Sequence, residues 1–104
     1  MESTRILRQL ASIGFVGAVK FVFERGRVTQ VIESQAQATD GAICLDDLHA
    51  AGELLRIARQ VEMTGYIVVY LTPQDIRANY VRTQTGSFDD TMTFERAFAI
   101  REAV

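Results

Sequence analysis

YIVVYL, residues 66–71, is the stretch that decides the predicted fold of this chain. It is apolar at odd and even positions alike and rich in β-branched and aromatic residues, a pattern typical of an interior strand covered on both faces. We therefore predict that it forms the central strand of a sheet. The next four residues, TPQD at 72–75, combine a cap, a first-turn proline and an acidic third position, so they predict a helix from residue 73 to about residue 82.

The segment before this strand predicts a short strand and then a helix. Residues 42–45 are apolar, and Asp46 and Asp47 suit the N-cap of a helix. Apolar residues then recur at helical spacing from Leu48 to Val61. A strand, a helix and a second strand in this order favour a right-handed crossover, so we expect residues 42–45 to pair in parallel with the central strand.

The N-terminal third contains a predicted β-hairpin with a charged tip, FVFERGRVTQVIE at residues 21–33. Its connection, Arg25-Gly26, is of the kind that supplies the positive φ of a tight turn. The predicted pairs, which place large apolar residues on one face, are Phe23–Val28, Phe21–Gln30 and Val19–Ile32. The charged side chains that we take as candidates for contact with a partner are Lys20, Glu24, Arg25 and Arg27.

Helical patterns at both ends complete the predicted fold. Ser3 or Thr4 suits the cap of a first helix that ends at Gly14. A loop is expected over residues 83–90, and the apolar residues of a last helix are Phe94, Ala97, Phe98 and Ile100. The predicted fold class is α+β: a mixed β-sheet of about four strands, the N-terminal hairpin plus the βαβ unit, packed with three to four helices. Residues 1–104 are expected to form a single α+β domain.

Composition and charge narrow the classes of function. The chain has 104 residues, 48% apolar and 23% charged, as in ordinary globular proteins. Its 11 basic and 13 acidic residues are interspersed, with a formal net charge of −2, which disfavours binding to nucleic acid. One cysteine forms no internal disulfide, and the N-terminus shows neither a secretory leader nor a run near the roughly 20 apolar residues of a membrane span. A cytoplasmic protein without membrane contact is expected.

Parallel strands would bring two groups of polar side chains to one crevice at their carboxyl ends. The crevice candidates are Cys44, Asp46, Asp47 and His49 after the first strand, and Thr72 and Asp75 after the second. A thiol near a helix N-terminus and a nearby histidine are parts of a nucleophilic site, so the crevice represents the alternative of a small-ligand-binding or enzymatic domain. In the competing structural interpretation, Cys44 is a small buried hydrophobe and the aspartates are caps.

Motifs for cofactors and catalysis are absent from the sequence. There is no glycine-rich phosphate loop, no GxSxG, no HExxH and no CxxC. Nitrogen and sulfur ligands are too few for a zinc site, and an all-oxygen site of Asp46, Asp47 and Asp75 competes with their role as caps. We therefore expect no cofactor and no metal, and catalysis is the less favoured interpretation.

Two stretches resemble known families in layout. Residues 6–33, a helix and a hairpin closing on a basic-glycine turn, are similar to the small bacterial proteins of the YezD type, and this resemblance implies no mechanism. Residues 47–99 resemble STAS domains in the order of helix, YIVVYL, TPQD and terminal helix. The phosphorylatable serine of that family would fall at Leu48 or His49, so the resemblance carries no phosphoswitch to this chain.

These observations favour a small cytoplasmic regulatory or interaction module, of bacterial or phage type, that acts by protein–protein contact without catalysis. The hairpin has a charged tip, and its second face is half apolar. The central strand is apolar on both faces, which is more surface than helices on a single side can cover. A protein partner is therefore expected, and a homodimer is slightly favoured over a monomer.

Overall fold

A computed structural model describes residues 3–38 and 41–84. Its elements in chain order are α1 (Ser3–Ser12), β1 (Gly17–Glu24), β2 (Arg27–Ser34), β3 (Ile43–Leu45), α2 (Leu48–Gln60), β4 (Thr64–Leu71) and β5 (Ile76–Gln84). The strands form one sheet in the order β2-β1-β4-β5-β3, and every neighbouring pair is antiparallel. The predicted loop from residue 85 onward and the predicted last helix lie outside the described residues.

β4 contains the YIVVYL stretch and is the middle strand of the five, which confirms the prediction of an interior strand. Ile67, Val69 and Leu71 are buried in the core shared with the helices. On the other face of the strand, Tyr66 and Val68 are only partly buried, whereas Tyr70 is 7% exposed. The two faces of this strand are therefore covered unequally, although its composition is apolar on both.

The predicted mixed sheet of about four strands with three to four helices is wrong, because the described residues form five antiparallel strands and two helices. The third predicted helix, at residues 73–82, is largely β5. The Thr72 hydroxyl accepts hydrogen bonds from the amides of Gln74 (3.2 Å) and Asp75 (2.9 Å), and the Thr72 amide donates to the Asp75 carbonyl (3.1 Å). These bonds close a turn between two strands with the same chemistry that would begin a helix.

The predicted parallel βαβ unit is also wrong. β1 lies along one edge of β4 and β5 lies along the other, so β4 has no edge left for β3. β3 instead pairs with the outer edge of β5, with Ile43 opposite Ala78 and Leu45 opposite Ile76. α2 carries the chain from this edge strand back to the centre of the sheet.

The hairpin is confirmed at its turn. Arg25 and Gly26 have φ values of 51° and 80°, and Phe23 lies opposite Val28. Positive φ at both turn positions is what a tight two-residue hairpin connection requires.

Beyond the turn, the predicted register of the hairpin is wrong by one residue. A bulge leaves Thr29 as an extra residue in β2, so Phe21 pairs with Val31 rather than with Gln30. Side chains alternate along a strand, and a shift of one residue moves each of them to the opposite face. Ile32 therefore lies opposite Lys20, on the face away from the predicted apolar side.

Both helices pack on one face of the sheet. The core beneath them contains Leu7 and Leu10 of α1, Leu54 and Leu55 of α2, and the buried parity of the strands. Burial of each such large side chain contributes roughly 1.5–3 kcal/mol. Asp47 is the N-cap of α2, as predicted, and its carboxylate accepts a hydrogen bond from the Ala50 amide at 2.9 Å. Neither helix of the described part is long and apolar enough to cross a membrane.

Candidate functional site

The face of the sheet opposite the two helices, here called the second face, carries three cross-strand rows of side chains. In the order β2, β1, β4, β5, the rows are Ser34–Ala18–Tyr70–Arg77, Ile32–Lys20–Val68–Asn79 and Gln30–Val22–Tyr66–Val81. Neither helix within residues 3–38 and 41–84 packs against these side chains. Ile32 and Val81, near the two sides of this face, are each 44% exposed, which is high for large apolar residues in a sheet.

Lys20 lies in the middle of the second face rather than at its margin. Its Nζ is 4.1 Å from the centroid of the Tyr66 ring, a cation–π contact worth about 0.5–1 kcal/mol at a partly exposed site. The side chain is half-buried. The sequence prediction grouped Lys20 with the hairpin tip, and the structure places it over the central strand.

The hairpin tip is packed against the connection between α2 and β4. The Gly26 amide donates to the Met63 carbonyl at 2.9 Å, and the Arg25 amide donates to the Thr64 hydroxyl at 3.0 Å. The side chains of Glu24, Arg25 and Arg27 remain exposed. Glu24 and Arg27 face each other on the parity of the second face, whereas Arg25 lies beside the α2–β4 connection.

Five of the six crevice candidates surround one shallow depression. They are Asp46, Asp47, His49, Thr72 and Asp75. Their proximity does not come from parallel strands. It arises because β3 and β5 are antiparallel, so the end of β3 meets the start of β5 and the turn that precedes it.

Two of the three carboxylates of this depression, those of Asp47 and Asp75, already have structural roles. Asp47 caps α2. Asp75 Oδ1 accepts a hydrogen bond from the Thr72 hydroxyl at 2.8 Å, and Asp75 Oδ2 accepts one from Arg77 Nε at 3.0 Å. These bonds, from Thr72 first and then Arg77, lower the pKa of Asp75 below its usual value. The Asp75 side chain is therefore an ionised acceptor at neutral pH and is unsuited to general-acid chemistry.

Cys44 lies apart from the depression. Its neighbours Ile43 and Leu45 are buried on the helix side, and strand alternation places Cys44 on the other side, opposite Arg77. The thiol is exposed, so the interpretation of Cys44 as a buried hydrophobe is wrong. His49 belongs to α2 on the helix side, and the sheet therefore separates the two parts of the hypothetical nucleophilic pair.

Within the described ranges, no group of three His, Cys, Asp or Glu side chains lies close enough to hold a metal ion. The all-oxygen alternative of Asp46, Asp47 and Asp75 does not form such a group. Asp47 is held as the N-cap of α2, and Asp75 is held by the turn that begins at Thr72.

The sequence prediction missed the apolar residues of the second face. The predicted helix at residues 73–82 includes Val81, although Ile76, Ala78 and Tyr80 alternate with polar residues, a period-two signal that indicates a strand. The sequence contains no local signal for a bulge at Thr29. Without the bulge, the predicted register places Ile32 on the core side.

Comparison with known proteins gave no match: no protein-family model, no curated protein and no solved structure is significantly similar to this chain. The functional proposal below therefore depends on the geometry and chemistry of the chain itself.

Proposed function

We propose that this protein is a small cytoplasmic interaction module that acts by protein–protein contact without catalysis, and that the second face binds a second copy of the chain. The observation that carries the proposal is an apolar strip across the sheet, Val22–Tyr66–Val81, with Ile32 and Val68 in the adjacent row. Such a strip at the surface favours association, because contact removes its apolar area from water.

A second copy suits this face because charged side chains of both signs stand at its ends, Glu24 beside Arg27 at one and Arg77 at the other. Glu24 lies at the end of β1, whereas Arg77 lies in the row at the other end of the strands. A two-fold axis that reverses the strand direction brings Glu24 of one copy toward Arg77 of the other, twice in each dimer. Arg77 uses Nε for Asp75, and its remaining N–H groups can serve this contact.

The size of the second face favours a weak dimer. Strands of eight residues separated by about 4.8 Å give a face of roughly 27 by 14 Å across four strands. Pairing of two such faces buries about 800 Å2 in total, the area of transient contacts. We therefore expect a dissociation constant on the order of micromolar.

Sedimentation velocity over a range of concentrations tests the proposal. Val81→Glu and Ile32→Glu each place a carboxylate in the apolar region, and we expect either variant to weaken dimerisation at least about tenfold, because the charge must lose its water in the contact. Both positions are 44% exposed, so the monomer should keep its fold.

Ile13→Glu is the matched control. Ile13 is 76% exposed in the turn after α1, away from the sheet, and the same substitution there should leave dimerisation unchanged. A wild-type chain that remains monomeric at every concentration contradicts the proposal. Equal weakening by the control would show that net charge, and not the second face, governs association.

A further inference from the structure

A groove of about 680 Å3 lies between α1 and α2, on the opposite side of the sheet from the second face. Leu48, Gly52 and Leu55 contribute its apolar lining. Four arginines also line it: Arg5 and Arg8 from α1, and Arg56 and Arg59 from α2. Four of the chain's 11 basic residues thus lie close together in the groove, although basic and acidic residues are interspersed along the sequence.

The positive charge of this groove is only partly compensated. Arg56 forms a two-point contact with Glu53, with Nη2 2.9 Å and Nε 3.3 Å from the two carboxylate oxygens. Among residues 3–38 and 41–84, no carboxylate lies within 4.0 Å of the guanidinium groups of Arg5, Arg8 or Arg59. Three guanidinium groups are therefore available to an anion.

A buried hydroxyl is the second indication of a ligand. Ser3 lines the groove and is only 5% exposed, yet its Oγ makes no hydrogen bond. The predicted role of Ser3 as a helix cap is therefore wrong. Buried side-chain oxygens in native proteins are nearly always hydrogen-bonded. The Ser3 hydroxyl has no partner among residues 3–38 and 41–84 and lies beside an arginine cluster, which favours a ligand at this place.

We propose that this groove binds a soluble organic phosphate, a site that goes beyond the proposed dimer contact. Guanidinium groups match phosphate oxygens with two parallel N–H donors, and the Ser3 hydroxyl adds a further donor. The first turns of α1 and α2 line the groove at Ser3–Arg5 and at Leu48–His49, where helix dipoles favour an anion. The volume is typical of sites for small molecules, and the leucines provide contact for the organic part.

Titration of the full chain with inorganic pyrophosphate, followed by amide chemical shifts, tests the site. We expect saturable shifts confined to residues 3–8 and 48–59, and weaker binding as the salt concentration rises. Arg8→Gln and Arg59→Gln should each weaken binding about tenfold through loss of a charge-assisted hydrogen bond. Arg27→Gln, which removes an exposed arginine on the other side of the sheet, should bind as the wild type does.

Ser3→Ala separates binding from folding. The substitution removes a hydroxyl without a partner, so the melting temperature in the absence of ligand should stay the same or rise. Pyrophosphate binding should nevertheless weaken severalfold. A Ser3→Ala variant that binds pyrophosphate as tightly as the wild type would overturn the assignment of the hydroxyl to the ligand.

Three further outcomes would overturn the proposal as a whole. Shifts that grow linearly without saturation, or an equal loss of affinity in Arg27→Gln, would reduce the effect to nonspecific screening and overturn the site. Vesicles containing phosphatidic acid distinguish a lipid headgroup from a soluble phosphate. Binding to such vesicles without binding to pyrophosphate would also overturn the proposal.

Discussion

At the scale of single residues, Gly26 determines how the hairpin meets the rest of the molecule. Its φ is +80°, and a Cβ placed on it would lie 2.7 Å from the Arg59 carbonyl oxygen and 3.0 Å from Glu62 Cα. Glycine is therefore required there twice, by backbone conformation and by space. The close approach allows the Gly26 amide to reach the Met63 carbonyl.

Gly26→Ala and Gly14→Ala separate these two requirements. Gly14 has a similar φ of +74°, but a Cβ placed on it would have no neighbouring atom within 4 Å, so its substitution should cost only the conformational penalty of about 1–2 kcal/mol. Gly26→Ala should cost a further ~1–3 kcal/mol from overpacking. Urea denaturation measures both free energies of unfolding, and equal losses would show that the tip is not packed as described.

Asp75 predicts a dependence of stability on pH. Hydrogen bonds from Thr72 and Arg77 lower its pKa in the folded state below the value of about 3.9 found in unfolded chains. The stabilisation is therefore fully present above the unfolded pKa and is lost as the pH falls through the folded pKa. Asp75→Asn should be less stable than the wild type near neutral pH, and the difference should shrink in acid. A difference in unfolding free energy that is constant with pH would contradict this account.

At the scale of elements, the turn between β4 and β5 shows that one local motif serves two structures. A threonine hydroxyl that accepts amide hydrogen bonds two and three residues ahead is compatible with the first turn of a helix and with a tight turn. The following residues decide between them. From Ile76 onward the side chains alternate, and the backbone of this segment pairs with the edge of β4.

The contact between α1 and α2 gives a prediction at the same scale. A Cβ on Gly52 would lie 2.9 Å from Thr4 Oγ1 and 3.2 Å from Thr4 Cγ2. Gly52→Ala should gain up to about 1 kcal/mol in helix propensity and lose more through this crowding. In a Thr4→Ala background the crowding disappears, so the same substitution should become stabilising. A double-mutant cycle in urea measures the coupling, and additive effects would mean that the helices do not meet at these residues.

At the scale of the whole molecule, the two described helices lie on one side of a five-stranded sheet. β4 is apolar on both parities, so this arrangement leaves Tyr66 and Val68 on the second face with partial cover. The arginine groove lies on the helix side. The proposed dimer contact and the proposed anion site are thus on opposite sides, and each can be altered without touching the other.

Dimerisation through the second face predicts a melting temperature that depends on protein concentration. Because the dimer contains only folded chains, association stabilises the folded state by mass action, by about 2.7 kcal/mol at a hundredfold excess over the dissociation constant. The melting temperature of the wild type should therefore rise with concentration, whereas that of Val81→Glu should stay constant. Calorimetry at several concentrations measures this difference. If the melting temperatures of the wild type and of Val81→Glu rose equally with concentration, a contact at Val81 would be contradicted.

Local signals in the sequence were sufficient for several parts of this protein. The Asp47 cap, the Arg25-Gly26 turn and the interior character of residues 66–71 could all be predicted, because each depends on a few neighbouring residues or on composition. The proximity of the crevice candidates was expected from parallel strands, and the structure produces it by antiparallel pairing.

The sequence by itself determined the hairpin turn at Arg25-Gly26, where α2 begins and which strand is apolar enough for the centre of the sheet. Only the tertiary structure decided that residues 76–84 are a strand, that β3 pairs with β5, and that the bulge at Thr29 turns Ile32 to the second face. The reason is physical: caps and turns are satisfied within a few residues, whereas a strand needs an edge to pair with. Which strand edges are free to pair depends on the order of all five strands in the sheet. The contact between α1 and α2, which brings four arginines to one groove, likewise depends on the tertiary structure.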